Sequence, residues 1–467
     1  MSVATAAAPA DRMDRAYAVV RGFARFWLWF FFKRLGVRHP ERVPARGAVL
    51  LCINHPNNFI DSLVVGAAVS RKVHYLATAS MFRNGLLARF LLRMGAIPVY
   101  RRQDDPTKMD RNVEAFAACF EALAAGRLVA IYPEGTTHAE ARVQRIKTGA
   151  ARIALGFEDR HPGTLTVVPV GLTFEARKSF RGDVLVSFGP PVPVTPYLAA
   201  YRADAVKAVD ALTDAIQWAM EAEVVNVDRL DDARLVAAVA DLYRDELARE
   251  VREAGGLAPR DIDPVRLSRS IVEAVRWFRT HDPARVERLW HHIQAYRALL
   301  AEHRVRDEAV RGWRRERPPR ARLKHGWQAV AGFPVFLYGA AVNALPYYIP
   351  RWLARRGAHK ETNYMTIRLL ASIVTYPLFW GLETWVVSRW ASVPWTIAFA
   401  LSLPISGVIA YRYRVGAARF RSSLRLARLG LLHGPARARL VAERAAIIAE
   451  LEHAKRDYIA ATKGSSF

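Results

Sequence analysis

Cysteine is nearly absent from this chain: among 467 residues there are only Cys52 and Cys119. Two separated thiols exclude a disulfide framework and a cysteine-based metal site. Both are expected to be ordinary core residues, since free cysteine is among the most buried residue types. The sequence also lacks the Gly-x-Ser-x-Gly elbow that carries a hydrolase serine. A covalent mechanism on serine or cysteine is therefore not indicated.

Acidic residues are scarce relative to basic ones, with 43 Asp plus Glu against 69 Lys plus Arg and a net charge of +26. Such a charge attracts an anionic partner. The chain has no zinc finger, aromatic RNA-binding signature or separate basic tail, so we predict no nucleic-acid partner. The cations lie on helices and beside apolar segments, which favours a phospholipid membrane at about 1 kcal/mol per well-placed cation.

The N-terminal segment, residues 1–46, lacks the features of a signal peptide. Its apolar run, residues 23–32, is too short to cross a bilayer, which takes roughly 20 residues, and no small-residue cleavage site follows it. Trp27, Trp29 and the basic pair at 33–34 are typical of a helix at the membrane interface. A helix packed on the following domain is an equal alternative, and both interpretations can hold together.

Residues 47–196 alternate short apolar runs with amphipathic stretches, which predicts an α/β domain with a central mixed sheet. A Pro-rich break at 189–196 closes this domain. The patterns predict strands at 48–53, 74–78, 97–100, 128–132, 165–174 and 184–188, and helices at 61–70, 83–94, 110–125 and 147–157.

Residues 197–325 form a charged region whose periodicity is helical. Its opposite charges recur at helical spacing, so we predict a solvated helical bundle. His291 and His292 lie within it without a partner motif and are interpreted as surface or packing residues.

Residues 326–412 contain three apolar stretches, 327–349, 369–387 and 391–411. Their lengths near 20 residues indicate C-terminal transmembrane helices, with a buried soluble core as the alternative. Aromatic and basic residues cluster at the ends, as in an interfacial belt. The remaining residues, 413–467, predict a basic amphipathic helix on the lipid surface.

The basic flanks of these stretches predict a topology. Cations lie on both sides of the first stretch and after the third, and a cation excess belongs on the cytoplasmic side. We therefore predict that the second and third stretches form a spanning hairpin that turns at 388–390. The first stretch would then be re-entrant or interfacial, with a third full span as the alternative. Labelling of residues 360 and 430 from opposite sides would contradict this hairpin.

Two short motifs bring together chemically active side chains. NHPNNFID (54–61) follows the run AVLLCI, and YPEGTTH (132–138) follows the run LVAI. The carboxyl ends of strands are where an α/β sheet exposes side chains to a ligand. A histidine held by a carboxylate is a competent general base for an alcohol, so His55 with Asp61 indicates direct attack by a bound hydroxyl.

Four blocks in order resemble the glycerolipid acyltransferase family, the glycerol-3-phosphate and 1-acylglycerol-3-phosphate acyltransferases. They are NHPNNFID (54–61), GAIPVYR (95–101), PEGTT (133–137) and VVPVG (167–171). The resemblance implies a membrane-bound enzyme of phospholipid biosynthesis, on the cytoplasmic side of a bacterial-type inner membrane. It would transfer an acyl group from acyl-CoA or acyl carrier protein to glycerol 3-phosphate, dihydroxyacetone phosphate or a lysolipid, and it implies no cofactor and no metal.

The resemblance also implies roles for individual residues. His55 would deprotonate the acceptor hydroxyl and Asp61 would orient His55. Pro169 would shape the site. A guanidinium suits bidentate binding of phosphate, and a Gly turn lets backbone N–H groups approach an anion. The residues implied for acceptor binding are Arg101, with Arg102 as its alternative, Glu134, Gly135 and Thr136. Lys147 opens a helix and would add a further donor to the phosphate, and an ordinary surface role is the favoured alternative for it.

Two departures from the family pattern concern the acceptor. Asp61 follows His55 by six residues, whereas the common family spacing is five, and His138 stands where the family often has Arg. A branch resembling the fungal-type glycerol-3-phosphate and dihydroxyacetone-phosphate acyltransferases shares the longer spacing and a Lys-Thr-Gly-Ala run like 147–150. This favours a small glycerol phosphate as acceptor. The alternative function is a catalytically silent lipid-binding or membrane scaffold protein on the same fold.

Overall fold

The structure is a computed structural model that forms two compact units. The first comprises Met1–Asn226 with Ile349–Ile373, and the second comprises Val227–Tyr348 with Val374–Phe467. The residues it describes are 13–32, 34–100, 112–138, 142–174, 183–224, 230–255, 264–313, 332–358 and 360–463.

The first unit contains the mixed sheet and the helices that cover it. Its strands are β1 (Arg34–Arg38), β2 (Ala48–Ile53), β3 (Val73–Thr78), β4 (Ile97–Val99), β5 (Leu128–Ile131), β6 (Leu165–Phe174) and β7 (Asp183–Phe188). Its helices are α1 (Arg15–Phe31), α2 (Phe59–Ala68), α3 (Gly85–Arg93), α4 (Asn112–Ala124), α5 (Gly149–Glu158), α6 (Leu198–Ala203) and α7 (Ala205–Glu223).

Across the described residues, seven strands pair in the order β1-β7-β6-β2-β5-β3-β4. The β6–β7 pairing is antiparallel and the other pairings between named strands are parallel, so the sheet is mixed, as predicted. The central strand β2 is buried along its whole length. Helices cover both faces of such a strand, which explains its continuous apolar sequence. All of the predicted strands form; β1 was not predicted and pairs with β7 at the sheet edge.

Helix α7 extends the sheet unit beyond the predicted boundary at residue 196. Its residues Leu212, Ile216 and Met220 are buried in the same core cluster as the sheet residues. At the end of α7 the backbone of Glu223 approaches Gly171 so closely that a Cβ on Gly171 would collide with it. Gly171 is therefore needed for this helix to lie against β6.

Helix α1 packs on the first unit, which is one of the two alternatives for the N-terminal segment, and its position at a membrane interface stays a prediction. Arg21 donates from Nε to the carbonyl of Gly66 at 3.0 Å and from Nη2 to that of Val69 at 2.5 Å, which caps the C-terminus of α2. One face of α1 is buried and the other presents bulky apolar side chains. The buried members are Trp27, Leu28, Phe30 and Phe31, and the exposed ones are Val19, Phe23, Phe26 and Trp29.

The second unit is helical. Two helices, α13 and α14, contribute residues to both units. The helices are α8 (Leu230–Gly255), α9 (Pro264–His281), α10 (Pro283–Glu302), α11 (Asp307–Trp313), α12 (Gly332–Val342), α13 (Ala344–Gly357), α14 (Glu361–Ser388), α15 (Val393–Leu432) and α16 (Gly434–Lys463).

Two of the described helices, Thr362–Ser388 within α14 and Val393–Leu432, are long and apolar enough to cross a membrane. They overlap the predicted stretches 369–387 and 391–411. The described part of the stretch 327–349 is divided between α12 and the start of α13. Helix α12, at 11 residues, is shorter than a bilayer requires.

Close packing joins α12 to α15. Gly339 faces the backbone of Ser406 with no room for a Cβ. Asn343, directly after α12, donates from Nδ2 to the Leu403 carbonyl of α15 at 3.3 Å, and Trp380 Nε1 of α14 donates to Asn343 Oδ1 at 3.1 Å. Small residues that allow backbone approach, joined by interhelical hydrogen bonds, are the usual interface of membrane helices.

Helix α16 differs from the lipid-surface helix expected from the sequence. Its residues Leu440, Ile447 and Leu451 are buried, and the helix packs against α10 and α11 of the same unit. His292 of α10 contacts Glu443 at 2.9 Å and Glu450 at 3.3 Å, so it joins the two helices. These three apolar residues of α16 are thus covered by protein.

Candidate functional site

The two motifs meet because the strands that carry them are neighbours. β2 and β5 pair in parallel, so their carboxyl ends lie at the same edge of the sheet. The rings of His55 and Tyr132, which follow these strands, stack with centroids 3.9 Å apart and planes inclined by 18°. The carboxyl edge of the sheet therefore carries the candidate site, as the sequence indicated.

His55 and Asp61 form the hydrogen-bonded pair that the sequence predicts. Asp61 lies in the first turn of α2 and is fully buried. Its Oδ2 is 2.9 Å from His55 Nδ1 and accepts the Asn57 backbone N–H at 2.8 Å. The carboxylate assigns the proton to Nδ1, so Nε2 is the nitrogen left to accept a proton. The His55 side chain is 17 % exposed, which makes it accessible from the site.

Asn54 fixes the end of β2 against β6. Its side chain donates from Nδ2 to the Leu172 carbonyl at 3.1 Å, and its Oδ1 accepts the Leu172 backbone N–H at 2.7 Å. This reciprocal pair immediately precedes His55 and sets the direction in which the chain leaves the sheet. Sequence reasoning did not identify Asn54 as a site residue; a polar side chain directly after a buried strand is the signal that marks it.

The ring of Tyr132 packs against one face of the His55 imidazole. Its hydroxyl contacts Ser62 Oγ of α2 at 2.8 Å. Burial, followed by the nearby Asp61 charge, raises the pKa of Tyr132 well above its usual value, so the phenol remains neutral. A neutral, anchored ring holds the base in one orientation without competing for its proton.

The Gly turn of the second motif lies beneath Lys147. Gly135 has a φ of +71° and donates its N–H to the Tyr132 carbonyl at 3.0 Å. A Cβ at Gly135 would lie 2.7 Å from Lys147 Nζ, so the lysine covers the turn. The Lys147 backbone N–H donates to the Pro133 carbonyl at 2.8 Å, which joins the start of α5 to the motif. An exposed cation therefore stands beside the predicted acceptor turn.

Glu134 and His138 form a second acid–histidine contact. Glu134 is buried, and its Oε2 contacts His138 Nε2. Among the described residues, its Oε1 has no hydrogen-bond partner. The His138 backbone N–H donates to the His55 carbonyl at 3.4 Å, which connects the two motifs. His138 was noted only as a departure from the family pattern; its spacing of four residues from Glu134 is the signal for this contact.

The other predicted site residues have different positions. Arg101 and Arg102 lie outside the described residues. Thr136 is exposed next to Gly135. Pro169 lies within β6, paired with Cys52 of β2, and its carbonyl accepts the Gly189 N–H at 2.8 Å. Pro169 thus belongs to the sheet from which the site projects.

Both thiols are core residues, as predicted. Cys52 and Cys119 are fully buried. Burial raises the pKa of the Cys52 thiol to about 12 and that of the Cys119 thiol to about 12. A thiol is a nucleophile only as its thiolate, so neither residue is suited to hold an acyl group.

A cavity of about 560 Å³ lies at the opposite edge of the sheet. Its lining includes His74, Gly95 and Arg127, which stand at or just before the starts of β3, β4 and β5. Because these strands run parallel to one another, their amino ends are at the edge away from His55. This cavity is therefore separate from the candidate site.

Residues 34–173 match the Acyltransferase family model. Glycerol-3-phosphate O-acyltransferase 1 of Saccharomyces cerevisiae is 28% identical over 44% of this chain and 26% of its own length. Glycerol-3-phosphate O-acyltransferase 2 of the same yeast is 30% identical over 46% of this chain and 43% of its own length. The chain thus spans less than half of either yeast relative.

Two bacterial proteins are also similar. A 1-acyl-sn-glycerol-3-phosphate acyltransferase of Bacillus subtilis is 27% identical over 25% of this chain and 55% of its own length. The crystal structure of the 1-acyl-sn-glycerophosphate acyltransferase PlsC from Thermotoga maritima is 19% identical, with a TM-score of 0.33 over 44% of this chain and 80% of its own.

Proposed function

We propose that residues 34–173, which match the Acyltransferase family model, form a domain that transfers a fatty acyl group from a thioester to a hydroxyl of a glycerol phosphate. The observation that carries the proposal is the His55–Asp61 pair at the carboxyl edge of the sheet, with an available Nε2. A general base held by a buried carboxylate suits activation of an alcohol. The buried thiols and the missing serine elbow favour attack in a single step.

In the proposed reaction the acceptor hydroxyl lies within hydrogen-bonding reach of His55 Nε2. The nitrogen takes the hydroxyl proton while the oxygen attacks the thioester carbonyl carbon. The carbon–sulfur bond breaks, an ester forms, and the sulfur leaves with the proton returned by His55 as a free thiol. Asp61 stabilises the imidazolium that exists between these two proton transfers.

The proposed acceptor is glycerol 3-phosphate. Lys147 beside the Gly135 turn offers a cation for the phosphate, and Arg101 with Arg102 remains a prediction of the sequence for the same group. The names of the two yeast relatives support this acceptor. Dihydroxyacetone phosphate and 1-acylglycerol 3-phosphate carry the same phosphate and are the competing acceptors.

We further propose that the enzyme is bound to a phospholipid membrane, with the catalytic domain on the cytoplasmic side. The two span-length helices support this, and so do the exposed Phe23, Phe26 and Trp29 of α1. Amphipathic aromatic helices of this kind lie in the interface. An acyl donor, either acyl-CoA or acyl carrier protein, would arrive from the cytoplasm and the acylated product would enter the bilayer.

An acceptor panel tests this function. The purified 467-residue chain in lipid nanodiscs is offered glycerol 3-phosphate, dihydroxyacetone phosphate, 1-acylglycerol 3-phosphate or, as a control, glycerol, each with acyl-CoA or acyl carrier protein. Products are identified by mass spectrometry. We expect an ester of glycerol 3-phosphate, and none from glycerol, which lacks the phosphate. Absence of any ester, with retained lipid binding, would favour the silent membrane protein instead.

The membrane topology gives a separate prediction. Single cysteines at Lys360 and Leu431 should react with a membrane-impermeant maleimide from the same side, and one at Trp390 from the other side. Leu431 is chosen because it is 87% exposed and Trp390 because it is 91% exposed. The unsubstituted chain is the matched control, since its two thiols are buried. Labelling of 360 and 431 from opposite sides would contradict the hairpin.

A further inference from the structure

The loop between His55 and Asp61 is held by residues more than three hundred positions away in sequence. Thr366 Oγ1 donates to the Asn57 carbonyl at 2.8 Å. Asn58 Nδ2 donates to Asn363 Oδ1 at 3.0 Å. Both contacts lie within the first unit, which includes residues 349–373. The loop that spans the six positions from His55 to Asp61 is thus held by hydrogen bonds from residues outside the motif.

The backbone conformation of this loop explains why the hydrogen bonds from Thr366 and Asn363 matter. Asn57 is the residue whose backbone N–H donates to Asp61 Oδ2, the same oxygen that holds His55. Asn58 has a φ of +61°, a conformation that non-glycine residues rarely adopt. An unusual backbone conformation persists only where its surroundings determine it. The two bonds from α14 act on the residues that set the position of the carboxylate.

The first turns of α14 pack against other parts of the first unit. One face is buried in the first unit, and Arg368 on this segment lies with its guanidinium 5.9 Å from the ring of Phe31 in α1. The buried residues recur at helical spacing: Thr362, Met365, Thr366, Leu369 and Ser372. The Thr366 hydroxyl, which donates to the loop, and the Asn363 side-chain carbonyl, which accepts from it, therefore lie on a segment that is packed into the first unit.

We propose that Asn363 and Thr366 are positioning residues for the His55–Asp61 pair. The proposal rests on the proposed function, in which His55 is the base. Because both residues lie in the first turns of the span-length helix Thr362–Ser388, the helix that is proposed to cross the bilayer also holds the loop between His55 and Asp61. Neither residue touches the acceptor in this role, so the turnover rate should depend on them while acceptor affinity should not.

The test compares two threonines on the same helix. Thr366→Val removes the hydroxyl that holds Asn57. Thr362→Val is the matched control, since Thr362 is 4% exposed and Thr366 is 8% exposed, and among the described residues the Thr362 hydroxyl has no hydrogen-bond partner. We expect Thr366→Val to lower kcat about tenfold, from the loss of one buried hydrogen bond, with an unchanged KM for the acceptor. Thr366→Ser should restore the rate, and Thr362→Val should stay close to wild type.

A spectroscopic measurement separates this proposal from the function on which it rests. Isotope-labelled histidine in the purified chain reports the tautomer of His55, and its signals are identified by their loss in His55→Ala. Thr366→Val should mix the tautomers, whereas Thr362→Val should leave them unchanged. If the wild-type chain transfers no acyl group, the proposed function fails and these spectra alone decide the positioning role. If the two valine variants match in spectrum and kcat, the positioning proposal is overturned.

Discussion

Replacement of His55 by alanine is expected to lower the rate of acyl transfer by about 10²–10⁴-fold, the usual contribution of a positioned general base. The imidazole is bound through Nδ1 to the buried Asp61, so its Nε2 is the atom that can take the acceptor proton. Removing it leaves the acceptor hydroxyl without a proton acceptor while the Gly135 turn and Lys147 are unaltered. The variant should therefore bind the acceptor with an affinity close to that of the wild-type chain.

The measurement is the initial rate with glycerol 3-phosphate and acyl-CoA, alongside thermal unfolding of each variant. His161→Ala is the matched control: His161 is exposed and its ring packs on Phe157 of α5, 4.8 Å between centroids. It should retain the wild-type rate. A His55→Ala variant that stays folded and turns over at the wild-type rate would refute the proposed mechanism.

Asp61→Asn should reduce kcat by roughly 10²–10⁴-fold, although the change in shape is minimal. An asparagine carbonyl can still accept from His55 Nδ1 and from the Asn57 N–H. It lacks the negative charge that stabilises the imidazolium formed when the acceptor is deprotonated. The loss should therefore fall on turnover, and the KM for the acceptor should change little.

Asp159→Asn provides the comparison for this substitution. Asp159 accepts from Arg202 Nε at 2.8 Å near the surface, with 36% of its side chain exposed. Surface ion pairs of this kind contribute about 0–1 kcal/mol, so this variant should keep its activity. Equal rates in the Asp61 and Asp159 variants would show that the negative charge of Asp61 has no part in the reaction.

Much of the sheet is readable from local sequence. Runs such as AVLLCI and LTVVPVGLTF are apolar because the strands are covered on both faces. Strand β1 was missed because its sequence RLGVR is short and contains two arginines. It lies at an edge of the sheet where, among the described residues, β7 alone pairs with it. The packing of α7 against β6 was missed because helical periodicity does not reveal which surface the apolar face meets.

The candidate site also has features that local sequence predicts and features that it does not. His55, Asp61 and the Gly135 turn lie within short segments after strands, so their proximity follows from the parallel pairing of β2 and β5. The Asn57–Thr366 bond joins residues 309 positions apart. Each of these side chains is ordinary in its own segment, and only the folded chain brings them together. The longer step from His55 to Asp61 is the one local sign that this loop needed additional support.

The proposed reaction is tested most directly by the mass of the product that the 467-residue chain forms from glycerol 3-phosphate and a single acyl-CoA in nanodiscs. We expect glycerol 3-phosphate carrying one esterified acyl group, with an equal amount of free thiol released, and almost none of this ester from the His55→Ala variant. Free fatty acid and thiol without the ester, or equal ester from both proteins, would contradict it.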